Sequence, residues 1–413
     1  MTEPLQPPPR KNPLKRTRLP LHPQALRSRT AQGLTAAAAE GRFALQVCSE
    51  CRTVLYPPRD TCSSCLSQRL TFRDVDPGGV LLAETTVHTS TDSYFRERMP
   101  WRVGTVKLDA GPVVVAHLHA DAVQKARVRL ALKLDKSGSA VLLALPAEDT
   151  PNMPDDPQLR EMTCDPKFRR VLITDGRTPV GQAMAKAFSE AQARIIFVGL
   201  ADPWKPFPGL EQLRQIERVD IVPLDVTDTE SVTEQAEQNG ARIDILVNTA
   251  EHVRAGGIVD RRGLTVAHEE IAVRYLGLLR LAQAFGPIMR SRGADGISSA
   301  SAFVNLLSVH ALMNWPSYGS HSATEAACLS AAQCMRAELR AGGVRVMNVF
   351  SGPLETEWFQ TVPPPKVTPA ALATAVIGAL RDGLEDVFVG DVAEDVRLRL
   401  AENPKGLERE LAG

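Results

Sequence analysis

The sequence predicts an α/β protein whose larger part is a doubly wound parallel sheet, preceded by a metal-binding ribbon and a small β-barrel. Three observations predict it. Apolar strands alternate with long helical stretches from Phe168 onward, and five short β-branched runs separated by tight turns fill Gly78 to Pro146. Four of the seven cysteines, Cys48, Cys51, Cys62 and Cys65, crowd into 18 residues. At 413 residues the chain is too long for one ordinary domain. Its 44% apolar and 23% charged residues exclude a wholly disordered or fibrous protein. The 48 Lys and Arg balance 48 Asp and Glu, so no net field drives the whole chain onto nucleic acid or an anionic membrane. No window approaches 18 uninterrupted apolar residues, which excludes a membrane span. No apolar segment follows the basic N-terminal residues, so the expected compartment is the cytoplasm.

The elements follow in order. Residues 1–23 hold seven prolines among basic residues and predict a disordered, extended basic tail. Residues 24–77 begin with the alanine-rich "QALRSRTAQGLTAAAAEGRF", a helix stopped by Gly41, and continue through the cysteines. Residues 78–147 carry the five strands, with Asp109–Gly111 and Lys136–Gly138 as turns, and predict a closed or half-closed barrel. Residues 148–166, acidic and proline-rich, read as a linker. Residues 167–413 alternate "RRVLITDG", "RIIFVG", "DIVPLDV", "IDILVNTA", "AFVNLLSV" and "VRVMNVFSG" with helices, which predicts a parallel sheet covered on both faces.

The cysteine spacing is C-x2-C, ten residues, C-x2-C. Each C-x2-C turn sets two thiolates on one side of a knuckle, and two knuckles close a tetrahedral shell with no open position for substrate. The metal is therefore structural, and zinc and iron both satisfy the spacing.

The run "VCSECRTVLYPPRDTCSSCLS", with a helix before it and "YFRERMPW" and "GTVKLDAGPVVVAHL" after it, resembles the zinc-ribbon plus OB-fold accessory family that accompanies thiolases, acyl-CoA hydratases and steroid side-chain aldolases. The resemblance covers about residues 24–146 and implies a docking or scaffold module, with acyl-CoA among its ligands. Zinc ribbons and OB-folds also serve nucleic acid. Here nine Lys or Arg face six Asp or Glu between Gly78 and Pro146, and the aromatics Tyr94, Phe95 and Trp101 sit in one stretch, which argues against that partner.

The second part resembles the short-chain dehydrogenase/reductase family, a Rossmann-type fold, over nearly its whole length, through "LDVTD", "ILVNTA", "FVNLLSV" and "VRVMNVFSGPLETEW". The family's phosphate turn T-G-x-x-x-G-x-G reads Thr174-Asp-Gly-Arg-Thr-Pro-Val-Gly181 here. Asp175 and Pro179 replace two glycines, Gly181 remains, and Gly176 allows a one-residue shift of the turn. Asp225 matches the adenine-contacting aspartate and Asn248 the first residue of N-N-A-G, while Thr249 and Glu251 depart from that motif. Thr174, Gly176, Gly181, Asp225 and Asn248 are thus the candidate cofactor residues. A carboxylate facing a pyrophosphate puts NAD(P) itself in doubt.

The family's Asn, Ser, Tyr and Lys tetrad lets a lysine lower the tyrosine pKa for proton exchange. On "SVHALMNWPSYGSHSATEAA" the serine is Ser308, His321 stands for tyrosine and Glu325 for lysine; Arg274 stands for asparagine. Tyr318 offers a second register, four residues before Ser322 and without a cation. Ser308, His321 and Glu325 are the candidate catalytic positions, with His321 and Glu325 spaced either for an acid–base pair or for a surface ion pair. The expected function is a non-catalytic dehydrogenase-like subunit, homo- or hetero-oligomeric, which pairs with an active sister and recruits a thiolase or aldolase. The alternatives are an active NAD(P)-dependent oxidoreductase acting on a 3-hydroxyacyl-CoA or other alcohol, and a nucleic-acid binder.

Overall fold

The computed structural model describes residues 1–8, 21–25, 28–294 and 299–411. The chain forms two compact units, one built mainly on Leu21–Asp165 and the other on Pro166–Ala379 with the residues from Glu385 on.

In the first unit, α1 (Gln32–Ala39) ends where Gly41 takes a φ of +74°, the left-handed conformation that closes a helix and that a Cβ would strain. The ribbon strands β1 (Ala44–Cys48), β2 (Val54–Leu55) and β3 (Leu70–Asp74) pair antiparallel in the order β2-β1-β3. The barrel strands β4 (Gly78–Val87), β5 (Trp101–Leu108), β6 (Val113–Leu118), β7 (Arg127–Leu134) and β8 (Ala140–Pro146) close in the order β4-β5-β6-β8-β7. Closure leaves no sheet edge, and the inward residues Leu81, Val106, Leu108, Leu118 and Leu134 are buried.

Between β4 and β5 lies α2 (Ser93–Arg96), whose first amides bond the Asp92 carboxylate. The three aromatics considered as base-stacking platforms pack inward instead. Tyr94 donates its hydroxyl to Glu161 at 2.9 Å, Trp101 Nε1 donates to His117 Nδ1 at 2.8 Å, and Phe95 lies edge-on to Trp101 at 5.3 Å.

The segment expected as a linker is part of this unit. It holds a 3-10 turn, Met153–Asp155, and α3 (Pro157–Glu161), capped by Asp156 through the Leu159 amide at 2.8 Å. Met153, Leu159 and Met162 pack with Trp101, Leu143 and Leu145, so apolar residues among the prolines give the segment a core of its own. The first residues of the expected tail are likewise placed: Leu5 donates its amide to Asp155 at 3.1 Å. Residues 9–20, most of that tail, lie outside the described residues.

The second unit runs β9 (Arg170–Ile173), α4 (Pro179–Glu190), β10 (Ile195–Leu200), α5 (Leu210–Gln215), β11 (Val219–Pro223), α6 (Thr229–Asn239), β12 (Ile245–Asn248), α7 (Thr265–Glu270), α8 (Gly277–Ser291), β13 (Ala302–Ser308), α9 (Gly319–Arg340), β14 (Arg345–Ser351), α10 (Pro369–Asp382), β15 (Asp386–Val389), α11 (Asp391–Glu402) and α12 (Pro404–Leu411). All seven strands are parallel, in the order β11-β10-β9-β12-β13-β14-β15. The order of strand addition switches sides between β9 and β12, and such switch points open a crevice at the carboxyl ends of the strands. At the opposite end Asp244, buried ahead of β12, accepts from Arg170 at 2.8 Å and Arg292 at 2.5 Å. Phe197, Phe285 and Phe303 are fully buried between sheet and helices. A π-helical turn, Ile271–Leu276, joins α7 to α8. Among the described residues no helix is long and apolar enough to cross a membrane.

Two glycines test the packing argument in opposite directions. A Cβ on Gly181 would lie 1.9 Å from the Asp175 carbonyl oxygen, whereas one on Gly378, inside α10, meets nothing within 4 Å. Gly181→Ala should destabilise by about 1–3 kcal/mol or more. Gly378→Ala should stabilise by roughly 0.5–1 kcal/mol, both read from denaturant midpoints.

Candidate functional site

The metal centre is built from two equivalent knuckles. Arg52 and Leu66, each following the second cysteine of its pair, take a φ of 61°. Their amides donate to Cys48 O and Cys62 O at 2.9 and 3.0 Å, and the Cys48 and Cys62 amides donate to Thr53 O and Ser67 O at 3.0 and 2.9 Å. The same turn is made twice. All four Sγ atoms lie within 4.8 Å of one another, with Cys48 to Cys65 at 3.5 Å and Cys51 to Cys62 at 3.6 Å. Tetrahedral zinc with Zn–S bonds near 2.3 Å needs sulfurs about 3.8 Å apart, so the four thiolates fit one ion and complete its shell.

In the second unit the turn after β9 is held by its own hydrogen bonds. Thr174 Oγ1 donates to Asn248 Oδ1 at 3.1 Å and accepts from the Thr249 amide at 2.9 Å. The Asp175 amide bonds Thr249 Oγ1 at 2.9 Å, and the Gly176 amide bonds Gly199 O at 3.0 Å. The Arg177 amide and guanidinium both reach the Asp175 carboxylate, at 2.9, 3.0 and 2.8 Å. Thr178 caps α4 by accepting from the Gly181 amide at 3.0 Å, and Pro179 at the first helical position has no N–H. The carboxylate of Asp175 is thus neutralised locally. The donors that a helix N-terminus offers an anion are already engaged at Gly181 and absent at Pro179.

A cavity of about 530 Å³ opens beyond this turn, lined by residues that follow β9, β10, β11 and β12, with Thr356, Glu357 and Trp358 on its far side. Of the candidate cofactor residues Thr174 and Asp225 line it, and Gly176, Gly181 and Asn248 do not. Asp225 accepts from the Thr227 amide and hydroxyl at 2.8 and 2.7 Å. Glu251 lines both this cavity and a second one of about 20 Å³ under Ser308, room for about one water. Burial pushes the Glu251 carboxyl up to about 7.

The three candidate catalytic positions are all buried, but they do not form the expected pair. Glu325 Oε1 accepts from Arg274 Nε at 2.7 Å and Nη2 at 2.5 Å. Its Oε2 accepts from the Ser308 amide at 2.7 Å and hydroxyl at 3.2 Å. Arg274, in the π-helical turn, also donates to Ala250 O and Leu306 O at 2.8 and 2.7 Å. Both ion-pair side chains are at most 5% exposed. The surface His321–Glu325 ion pair is therefore corrected on two counts: neither side is at the surface, and the carboxylate is taken by Arg274, a stronger and always charged donor.

His321 instead lies against His310 at 5.1 Å, whose ring in turn contacts Trp315, Tyr318 and Phe359, and the two ring nitrogens of His321 have no hydrogen-bond partner. Burial pushes both His310 and His321 down to about 3, which keeps them neutral. Tyr318, the second register, is buried in the same cluster. Arg177, His310 and Phe359 were missed in the sequence. Only the first had a local signal, a cation two residues after an unexpected aspartate in a turn.

Comparison with known proteins agrees with this division. Residues 177–385 match the family model described as Enoyl-(Acyl carrier protein) reductase. Residues 35–71 match the ChsH2 rubredoxin-like zinc ribbon domain and residues 72–133 the ChsH2 C-terminal OB-fold domain. The short-chain dehydrogenase PC-15 of Penicillium crustosum is 29% identical over 200 residues, 47% of this chain and 68% of that protein. An uncharacterized oxidoreductase of Staphylococcus aureus (strain USA300) is 29% identical over 215 residues, 51% of this chain and 89% of that protein. Among solved structures, a short-chain dehydrogenase from Burkholderia cenocepacia J2315 in complex with NADP has 30% identity and a TM-score of 0.54, covering 60% of this chain and 98% of its own.

Two outcomes follow from the buried charges. Glu325→Gln leaves the Arg274 guanidinium unpaired and should cost about 3–5 kcal/mol, while the double variant Arg274→Met with Glu325→Leu should recover most of that loss in chemical unfolding. The neutral histidines act on acidification. An unfolded chain protonates them near 6.5 and the folded chain only near 3, so their contribution is full above 6.5 and is lost as pH falls below it. Glu251, raised to about 7, runs the other way, so a difference between variants isolates the effect. The stability of His321→Phe relative to wild type should rise by about 2 kcal/mol between pH 7 and pH 5.

Proposed function

Because this chain belongs to the short-chain dehydrogenase/reductase family while a buried arginine–glutamate pair occupies the positions of its proton relay, we propose that it is a non-catalytic member fused to a docking module. The single observation that carries this reading is the bond from Arg274 to Glu325. Proton exchange at a substrate oxygen needs an acidic side chain open to substrate and a cation that lowers its pKa. Here the cation binds a carboxylate, Ser308 donates to that same carboxylate, and His321 is 1% exposed with neither nitrogen partnered. The space under Ser308 is too small for a nicotinamide ring.

The zinc-ribbon and OB-fold unit supports the second half of the proposal. It has no open metal position, and its inward aromatics leave no stacking surface among them, so its role is to bind a protein. The partners we propose are an active dehydrogenase of the same family and a thiolase or aldolase, acting in sequence on an acyl-CoA. The active-oxidoreductase reading keeps one observation in its favour, the cavity of about 530 Å³ at the switch point of the sheet.

The test is turnover. Purified chain incubated with NADPH or NADH and acetoacetyl-CoA should show no oxidation of the reduced nucleotide above the no-enzyme rate. Affinity purification from the native host should recover a dehydrogenase or thiolase. Turnover that is abolished by His321→Phe would replace this reading with the active one.

A further inference from the structure

The cavity beyond β9–β12 has no role in the function proposed above, yet it is well formed, and 530 Å³ lies within the range of small-molecule sites. Its polar lining is unbalanced. Asp175, Asp225, Glu251 and Glu357 supply four carboxylates against one guanidinium, Arg177. Arg177 Nε and Nη2 both bond Asp175, and His252, the remaining basic side chain of the wall, faces Glu269 at 3.2 Å. The cavity therefore repels anions.

A dinucleotide meets three obstacles in it. Its pyrophosphate would need the amides of the turn after β9, and those of Asp175, Gly176, Arg177 and Gly181 are bonded within the protein while Pro179 has none, which leaves Thr178 and Val180 to serve both phosphates. Its phosphate charges would add to a lining that already holds four carboxylates against one guanidinium. Its nicotinamide end would have to pass Glu251, which stands where the large cavity meets the small one under Ser308.

What the cavity offers is an apolar wall with acceptors set into it. Pro208, Leu224, Val226 and Val273 line it, and Trp358 closes it with Arg254 held over its ring at 4.2 Å. Thr356 Oγ1, also in the lining, is buried without a hydrogen-bond partner. A buried polar atom left without a partner costs stability, and such atoms persist where something else satisfies them.

We propose that this cavity takes an uncharged, nucleoside-sized molecule, with a planar ring against the apolar wall and hydroxyl or amino donors toward Asp225, Glu251 and Glu357, in place of a dinucleotide. This deepens the non-catalytic reading, which leaves the cavity free of hydride chemistry, and it is tested separately from that reading.

Isothermal titration of the full chain with adenosine, AMP, ADP and NADP⁺ is the experiment. Affinity should fall with each added phosphate, and adenosine should bind at least tenfold more tightly than NADP⁺. Asp175→Gly, which frees Arg177, should narrow or reverse that ratio. NADP⁺ binding as tightly as adenosine in the wild type would overturn the proposal, as would the absence of heat from adenosine at millimolar concentration. NADP⁺ binding as tightly as adenosine, with no oxidation of NADPH by acetoacetyl-CoA, would overturn this inference alone, whereas NADPH oxidation would overturn the non-catalytic reading.

Discussion

The second unit is organised around one buried ion pair. Arg274 and Glu325 meet at the end of β13, and between them they engage Ser308, Leu306 O and Ala250 O. Two charges in an apolar interior are tolerable only when each is nearly saturated with hydrogen bonds. Arg274 meets that requirement with four bonds to three acceptors. The π-helical turn that carries it shifts the side chain out of the regular helical register, and such turns concentrate where a helix bends to a local demand. Burial keeps the neighbouring imidazoles of His310 and His321 uncharged, and the charge of Arg274 adds to that effect at His321.

In the pattern the chain resembles, a cation lies on the helix after β13 and a neutral amide on the helix opposite. Here the helix after β13 carries an acid and the opposite helix a base. Neither substitution stands without the other, since either alone leaves a charge buried and unpaired. That mutual requirement holds both side chains in one arrangement. The first unit solves a different problem, too few apolar residues for its loops, by closing four thiols around a point.

Much of this was legible in the chain. The cysteine spacing, the five barrel runs and the alternation of strands and helices are periodic signals, and each reappears as an element within a few residues of its expected place. The linker was misread because Asp156 and Pro157 look like a break, whereas they start α3 as cap and first residue. At the site, sequence spacing put His321 and Glu325 one helical turn apart, and they are. What spacing could not supply was competition from Arg274, 51 residues earlier, for the same carboxylate. Contacts across elements carry no local signature. The same holds for Asp175, whose charge looked exposed to a ligand until Arg177 was seen folded back on it.

The position of β9 has a consequence for how the second unit assembles. It is the first strand of the second unit and sits in the interior of the sheet, so the sheet extends outward from it in chain order, first on one flank through β10 and β11 and then on the other. A chain emerging from the ribosome can lay down the first flank early, from neighbours in sequence. The second flank needs the guanidinium to wait, without its counter-charge, until α9 has been made. The two halves of the ion pair thus come from segments 51 residues apart, one made before β13 and the other after it.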